Sequence, residues 1–337
     1  MAAENARIVL SRSPADRLSA EDFTLETGPV ESPGPGEVLV RNVLLSIDPA
    51  ARAWMQGRTY RDQVRPGDLM PGFTLAEVVG SRDERLPVGT IVLGDGGWQE
   101  YAVRPGAELR PIRVRGPLTH HLSTLGITGL TAWVGLHRVG HPTPGETLVV
   151  SAAAGATGNV VGQLARAAGL RVVGIAGSAE KLAWLTGELG FDAAVSHRSP
   201  TFREELRAAC PDGVDLYFDN VGGPLLDPMI TAMNLHGRIV CCGAISQYDT
   251  TAPGPGPRLV PGLLITKRLR MEGFLVTEHD DVWEDAVDEM AGLIADGRLR
   301  VVEQVDEGLA AAPDALVGLL AGHNVGKQLV RIGPDPA

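Results

Sequence analysis

Up to about residue 120 the apolar positions come in short β-rich runs, such as 38–40 and 43–45. Turn signals at Gly34-Pro35-Gly36, Arg65-Pro66-Gly67, Met70-Pro71-Gly72, Val88-Gly89 and Asp95-Gly96-Gly97 break them up. This density of breakers predicts an irregular, mostly β domain or small barrel. Near His120 the pattern changes. Leu125, Leu130, Trp133, Val134 and Leu136 follow roughly helical spacing and are closed by a turn at Pro142-Thr143-Pro144-Gly145. From there strand and helix patterns alternate. Strands are predicted over 147–151, 171–176, 193–196, 214–218, 238–242 and 270–276. Helices are predicted over 159–168, 179–189, 201–210 and 225–233. Thr201 and Glu204 have capping-box spacing, and Asp281 with Glu284 caps a long helix ending before Gly297. A βαβ rhythm of this length means an α/β, doubly wound parallel sheet. The tail from about 298 adds a strand, a helix over 314–321 and a strand over 328–332, which we assign back to the first domain. The expected domains are therefore 1–121 with 298–337, and 122–297. Residues 250–261, rich in Pro and Gly, read as a loop.

The strongest chemical signal is VVSAAAGATGNVVG over 149–162. A buried strand runs through a Gly/Ala turn into a helix, with A-x-G-x-x-G spacing from Ala153. Gly155 would let the backbone approach a pyrophosphate. Gly158 would allow close helix–strand packing, and the helix N-terminus would face the phosphate charge. The same pattern also fits a tight turn without ligand; the βαβ context favours a dinucleotide. The second strand runs into IAGSAEK over 175–181. No carboxylate ends that strand, where an NAD site usually offers one to the ribose. Ser178 and Lys181 suit a 2′-phosphate instead, and Glu180 would repel it if turned inward.

Composition narrows the class. The 337 residues carry 30 Lys plus Arg against 41 Asp plus Glu, a net charge of −11, which argues against nucleic acid as a partner. No apolar run approaches a membrane span, and the first residues lack the pattern of a signal peptide, so a cytoplasmic enzyme is expected. Cys210, Cys241 and Cys242 provide neither a disulfide framework nor a four-Cys zinc site. The eight His include no HExxH, and the adjacent His120 and His121 diverge on a helix, so no metal is expected. No Tyr is followed four residues later by Lys, and there is no G-x-S-x-G. Only Lys181, Lys267 and Lys327 are lysines among the basic residues. They are either chance survivors of an Arg bias or places where a compact ammonium fits better than a guanidinium.

Several ordered motifs point to one family: LSIDPAAR over 45–52, GWQEY over 97–101, LGITGLTA over 125–132, VSAAAGATG over 150–158, GIAGSAEK over 174–181, YFDNVGG over 217–223, CGAISQY over 242–248, RMEGF over 270–274 and NVGK over 324–327. In these the chain resembles, over nearly its whole length, the zinc-independent medium-chain dehydrogenase/reductases. The branch is that of leukotriene B4 12-hydroxydehydrogenase/prostaglandin reductase, with the plant double-bond, 2-alkenal and bacterial curcumin reductases. The resemblance implies a Rossmann doubly wound sheet plus a GroES-like, mostly β domain, and a homodimer. It implies NADPH-dependent reduction of the carbon–carbon double bond of α,β-unsaturated ketones and aldehydes, by hydride transfer to the β-carbon.

Carried over by position, Ala156, Thr157, Gly158 and Asn159 would hold the pyrophosphate, and Lys181 with Ser178 the 2′-phosphate. Asn220, Cys242, Gly243, Ala244, Ile245, Ser246 and Tyr248 would line the ribose and nicotinamide, with Phe274, Leu275, Val276 and Asn324. Asp48, Ala50 and Arg52 would wall the substrate pocket. Two departures stand out. The family's tyrosine at the 2′-phosphate is replaced by His197, where Arg198 could compensate. Tyrosines common in the first substrate loop and in the loop before KRLRME are replaced by Ala50 and by the stretch 259–261. Tyr248 and Tyr60 remain as phenols. Tyr248, or the cofactor's ribose hydroxyl, is the candidate donor to the enolate oxygen; Tyr248 could instead be an aromatic packed under the cofactor. A quinone reductase of the same superfamily, or a non-catalytic NADPH-binding protein, are the competing readings.

Overall fold

The computed structural model describes residues 4–250, 252, 254 and 256–336. The first three residues of the N-terminal reading, and residues 251, 253 and 255 of the expected 250–261 loop, lie outside the described residues. By compactness the chain divides into two units. One comprises Met1–Ser123, Tyr248–Thr251 and Glu303–Ala337; the other comprises Thr124–Gln247 and Ala252–Val302.

Apolar β-branched runs alternating with helices build the second unit. Among the described residues its strands are Thr147–Val150, Arg171–Ala176, Ala193–Ser196, Val214–Asp219, Met233–Cys241 and Arg270–Gly273. All their pairings are parallel. Numbered in chain order, these six lie 3-2-1-4-5-6, the doubly wound order whose winding reverses between strands 1 and 4. Val149, Val173, Ile175, Tyr217 and Ile239 pack on one face against Phe202, Leu206, Met229 and Ile230. Those four come from helices Phe202–Ala209 and Leu226–Ala232.

In the first unit, the two apolar runs near residue 40 form one strand, Glu37–Ser46. It pairs antiparallel with Phe73–Ser81, Tyr101–Pro105 and the tail strand Lys327–Arg331. Val38, Val40, Ala76, Val78, Val92 and Ala102 fill the interior of this curved sheet. A second core joins Ile8, Leu45, Ile47, Trp54 and Trp98 to Leu316 and Leu319 of the tail helix Ala312–Leu320.

Several local expectations are corrected. The compact units change over after Ser123 and after Val302, two and five residues beyond the expected domain boundaries at 121 and 297. Residues 298–302 stay with the second unit because Arg300 N–H donates to Gln163 at 2.7 Å and Gln163 donates back to the Arg300 carbonyl at 3.1 Å. Two short helices were not anticipated, Ala50–Gln56 in the mostly β region and Val260–Lys267 at the end of the expected loop. The last strand stops at Gly273 rather than 276. Thr201 precedes its helix without a side-chain cap to the backbone: its φ −104° and ψ 20° are not the extended conformation an N-cap uses, and its hydroxyl donates to Glu205 at 2.7 Å. The helix Trp283–Ala295 begins after Val282, so Asp281 does not cap it. Among the described residues no helix is long and apolar enough to cross a membrane.

Candidate active site

The strand Thr147–Val150 is buried at every residue and leads through residues 151–155 into the helix Ala156–Ala167. A Cβ on Gly158 would lie 2.4 Å from the Ala152 carbonyl oxygen, so only glycine lets helix and strand end approach this closely. Ala152 itself takes a left-handed conformation, φ 48°, an uncommon and strained choice for a non-glycine residue. Gly155 is the N-cap and contributes no side-chain hydrogen bond. The first-turn N–H groups at Ala156, Thr157 and Gly158 have no helical acceptor by construction, and they suit an anionic oxygen. Asn159 is placed differently from the expected pyrophosphate ligand. Its buried amide donates to the Gly155 and Ala156 carbonyls at 2.7 and 3.0 Å, and its oxygen accepts from Gln163 at 3.2 Å. The side chain braces the turn from inside.

At the ends of the second and third strands, Ser178 caps the helix Ala179–Gly187, accepting the Lys181 N–H at 3.3 Å. His197 Nδ1 sits 3.0 Å from the Ala176 carbonyl oxygen, which can only accept, so Nδ1 carries the proton. A Cβ on Gly177 would meet the His197 ring at 2.9 Å and Arg198 Nε at 3.3 Å, so glycine admits both side chains to the strand end. Burial, then the Arg198 charge, lowers the Lys181 pKa. Burial of the ring's inner side and Arg198 likewise lower that of His197, against the Ala176 hydrogen bond. Three basic groups are thus held together at a mutual electrostatic cost that a bound dianion would reverse. Glu180 points to solvent.

Where the winding reverses, the structure adds residues that the sequence reading missed. Asp219 is buried, and its Oδ1 accepts from Ser151 Oγ at 3.1 Å, from Tyr217 Oη at 2.8 Å and from the Val221 and Gly222 N–H groups at 2.9 Å. Asn220 donates through Nδ2 to the Ser151 carbonyl at 2.8 Å. The Cys242 and Gly243 N–H groups donate to the Asp219 carbonyl at 2.9 and 3.1 Å. Ile245 N–H donates to Asn220 and Ser246 Oγ to Val221, both at carbonyl oxygens, with Ala244 inside the same loop. Asp219 stands inside the YFDNVGG motif; a carboxylate closing a buried strand was the available signal. Phe274 packs near Gly135, where a Cβ would approach its ring to 2.9 Å, and Leu275 and Val276 follow it beyond the strand end. These candidates all lie just past the carboxyl ends of the parallel strands, where open α/β sheets bind ligands. Asn324 is in the first unit, its amide donating to the Gly326 carbonyl at 2.9 Å.

The first unit gathers the remaining candidates. Asp48 accepts from Ser46 Oγ and from Lys327 Nζ, the latter at 2.7 Å. Lys327, only 3% exposed in its side chain, also donates to the Ile47 carbonyl at 2.8 Å. Ala50 opens the helix Ala50–Gln56, and Arg52 on that helix pairs with Asp249 at 3.0 Å. Both charges of the 48–52 loop are therefore neutralised inside the protein. Tyr60 is 60% exposed, and its oxygen accepts from Trp54 Nε1 at 3.2 Å. Crowding of its oxygen end raises the Tyr60 pKa. The Trp54 hydrogen bond and Arg61 oppose this, and Asp48 and Tyr248 add to it. Tyr60, Asp48 and Tyr248 thus lie within electrostatic range of one another, all in the first unit. Tyr248 was expected in the dinucleotide-binding domain; its segment leaves the second unit for the first.

Residues 6–112 match the model of an N-terminal domain of oxidoreductase, and residues 156–292 match that of a zinc-binding dehydrogenase. Among the described residues no group of three or more His, Cys, Asp or Glu is placed to hold a metal ion. The chain is 39% identical to NADPH-dependent curcumin reductase of Escherichia coli, over 98% of each chain. It is 41% identical to the NADP(+)-dependent 2-alkenal reductase of Nicotiana tabacum, over 90% of this chain and 89% of the other. The crystal structure of CurA in complex with NADPH from Vibrio vulnificus superposes with a TM-score of 0.92 at 37% identity, covering 99% of this chain and 100% of that one. The chain belongs to the medium-chain dehydrogenase/reductase family, in the zinc-independent branch of the curcumin, 2-alkenal and prostaglandin reductases.

Proposed function

We propose that this protein is an NADPH-dependent reductase of carbon–carbon double bonds conjugated to a ketone or aldehyde. The observation that carries the reading is the basic group Lys181, His197 and Arg198 at the ends of the second and third strands, with an uncapped helix N-terminus following the adjacent first strand. The activities of the curcumin and 2-alkenal reductases agree with it. The second unit is the dinucleotide-binding domain and the first the substrate domain. The N–H groups of 156–158 hold the pyrophosphate, and Lys181, His197, Arg198 and the Ser178 hydroxyl hold the 2′-phosphate. Asn220 and the 242–246 loop line the ribose and nicotinamide, with Phe274 to Val276.

Bound NADPH supplies a hydride equivalent to the β-carbon of the substrate. The protein's part is to place a donor at the carbonyl oxygen, where negative charge grows. One such hydrogen bond lowers a barrier by about 2.7–4 kcal/mol in oxyanion-type sites. Tyr248 is the donor, with Tyr60 beside it. Tyr60 accepts from Trp54, and burial moves its pKa up, further from neutral pH. The pairing of Asp48 with Lys327 and of Arg52 with Asp249 leaves no uncompensated charge in that loop, which suits an uncharged substrate.

The protein acts as a homodimer. The strand Arg270–Gly273 is a sheet edge with mostly exposed residues, and the neighbouring helix leaves Ile265 75% exposed; an unprotected edge favours pairing with a second copy. Its free cysteines accord with a reducing, cytoplasmic setting. NADPH consumption with a panel of alkenals, enones, quinones and saturated ketones tests the function. Turnover of alkenals and enones to saturated carbonyls is expected. Turnover of quinones alone, or NADPH binding without turnover on any of them, would overturn it.

A further inference from the structure

A donor to a carbonyl oxygen works only from a fixed place, and Tyr248 sits in a short segment between the turn Ile245–Gln247 and the helix beginning at Val260. Its first residues, Asp249 and Thr250, are held from the helix Ala50–Gln56. The Arg52 side chain is 2% exposed and donates through Nε to Asp249 Oδ1 at 3.0 Å and through Nη2 to the Asp16 carbonyl at 2.6 Å. The same Asp249 oxygen accepts the Leu18 N–H at 2.8 Å. Gln56, one helical turn beyond Arg52, donates to the Thr250 carbonyl at 2.9 Å. Residues 16–18, the helix Ala50–Gln56 and residues 248–250 are thus joined through one buried guanidinium.

Burying a guanidinium is costly and rarely the most stable way to fill a core. Its fork, however, gives two donors in fixed directions, which an ammonium lacks. We propose that Arg52 is a positioning residue for the reaction: through Asp249 it fixes the backbone beside Tyr248 and so holds that phenol within range of Tyr60. This rests on the reading of Tyr248 as the donor. It assigns Arg52 a task other than contact with substrate, and it gives Asp249 a role that no sequence motif announced.

The test is a double-mutant cycle on the full-length protein, with Asp249→Asn and Arg52→Gln each made in the wild-type and Tyr248→Phe backgrounds. Asp249→Asn keeps an acceptor for the Leu18 N–H and for the guanidinium; cooperative melting and NADPH titration verify that each variant is folded. In the wild-type background each change should lower kcat about 10–100-fold, the scale of a catalytic group misplaced by about 1 Å, with NADPH affinity unchanged. In the Tyr248→Phe background the same changes should alter kcat less than about twofold, since sites that act through one another are not additive. Equal losses in both backgrounds, or no loss in either, overturn the positioning role while the donor reading stands. An unchanged kcat for Tyr248→Phe alone overturns both.

Discussion

The tautomer of His197 leads to a pH dependence of cofactor binding that can be signed in advance. With Nδ1–H given to the Ala176 carbonyl, neutral His197 presents only the lone pair of Nε2. Only the imidazolium offers an N–H to an anion on that side. In the free protein, burial and Arg198 hold the His197 pKa below 6.5. A 2′-phosphate dianion beside it favours the charged form, so the pKa is raised in the complex and binding takes up a proton. The added affinity is complete below the free-protein pKa and is lost as pH rises through the pKa of the complex. An opposite charge at close range moves a pKa by about 1–3 units, and His197 is exposed on its outer side, so we take the low end. One unit is about 1.4 kcal/mol, or about tenfold in affinity. The assay is calorimetric titration with NADP⁺ between pH 5.5 and 8.5, in two buffers of different ionisation enthalpy, on wild type and His197→Gln. The phosphate's own titration near pH 6 is common to both proteins and cancels in the comparison. Wild type should gain about tenfold over the variant on going from alkaline to acid pH, with net proton uptake that the variant lacks. The same slope and proton count in both proteins would refute the reasoning.

Four further outcomes are expected. Lys181→Ala should weaken NADPH binding by about 10–150-fold, one charge-assisted hydrogen bond, and change NADH affinity less than about twofold; equal losses measured by fluorescence titration would remove Lys181 from the 2′-phosphate site. Lys327→Met should destabilise the protein by about 3 kcal/mol in chemical denaturation, because the buried Ile47 carbonyl and Asp48 lose their donor. Burial pushes Cys210 and Cys241 up to about 11 and Cys242 to about 12, so none is a ready thiolate for an electrophilic enone. Mass spectrometry after incubation with iodoacetamide or an enone at neutral pH should find them unmodified, and rapid alkylation would contradict this. Activity should survive prolonged chelation, and stoichiometric zinc whose removal abolishes turnover would overturn the metal-free reading.

The parallel sheet was legible because its signals are local. Strands Arg171–Ala176 and Ala193–Ser196 match their apolar runs residue for residue, and the glycine turn declares itself within 14 positions of sequence. Lysine usage was legible in part. Lys327 threads between Ile47 and Asp48, and Lys267 Nζ donates to the Thr231 and Met233 carbonyls at 2.6 Å each, sites for a compact ammonium. The helix Ala50–Gln56 was not legible: it follows Pro49, has no side-chain cap, and is stabilised by burying Ala51, Trp54 and Met55. The candidate site divides along this line. Residue types that bind a phosphate can be read from a turn, because backbone geometry within a few residues decides them. Arg52 meeting Asp249 across 197 positions, and Asp219 collecting donors from Ser151 and Tyr217, depend on which elements pack together. No periodicity encodes that, since a buried charge is tolerable only once distant parts of the chain have closed around it.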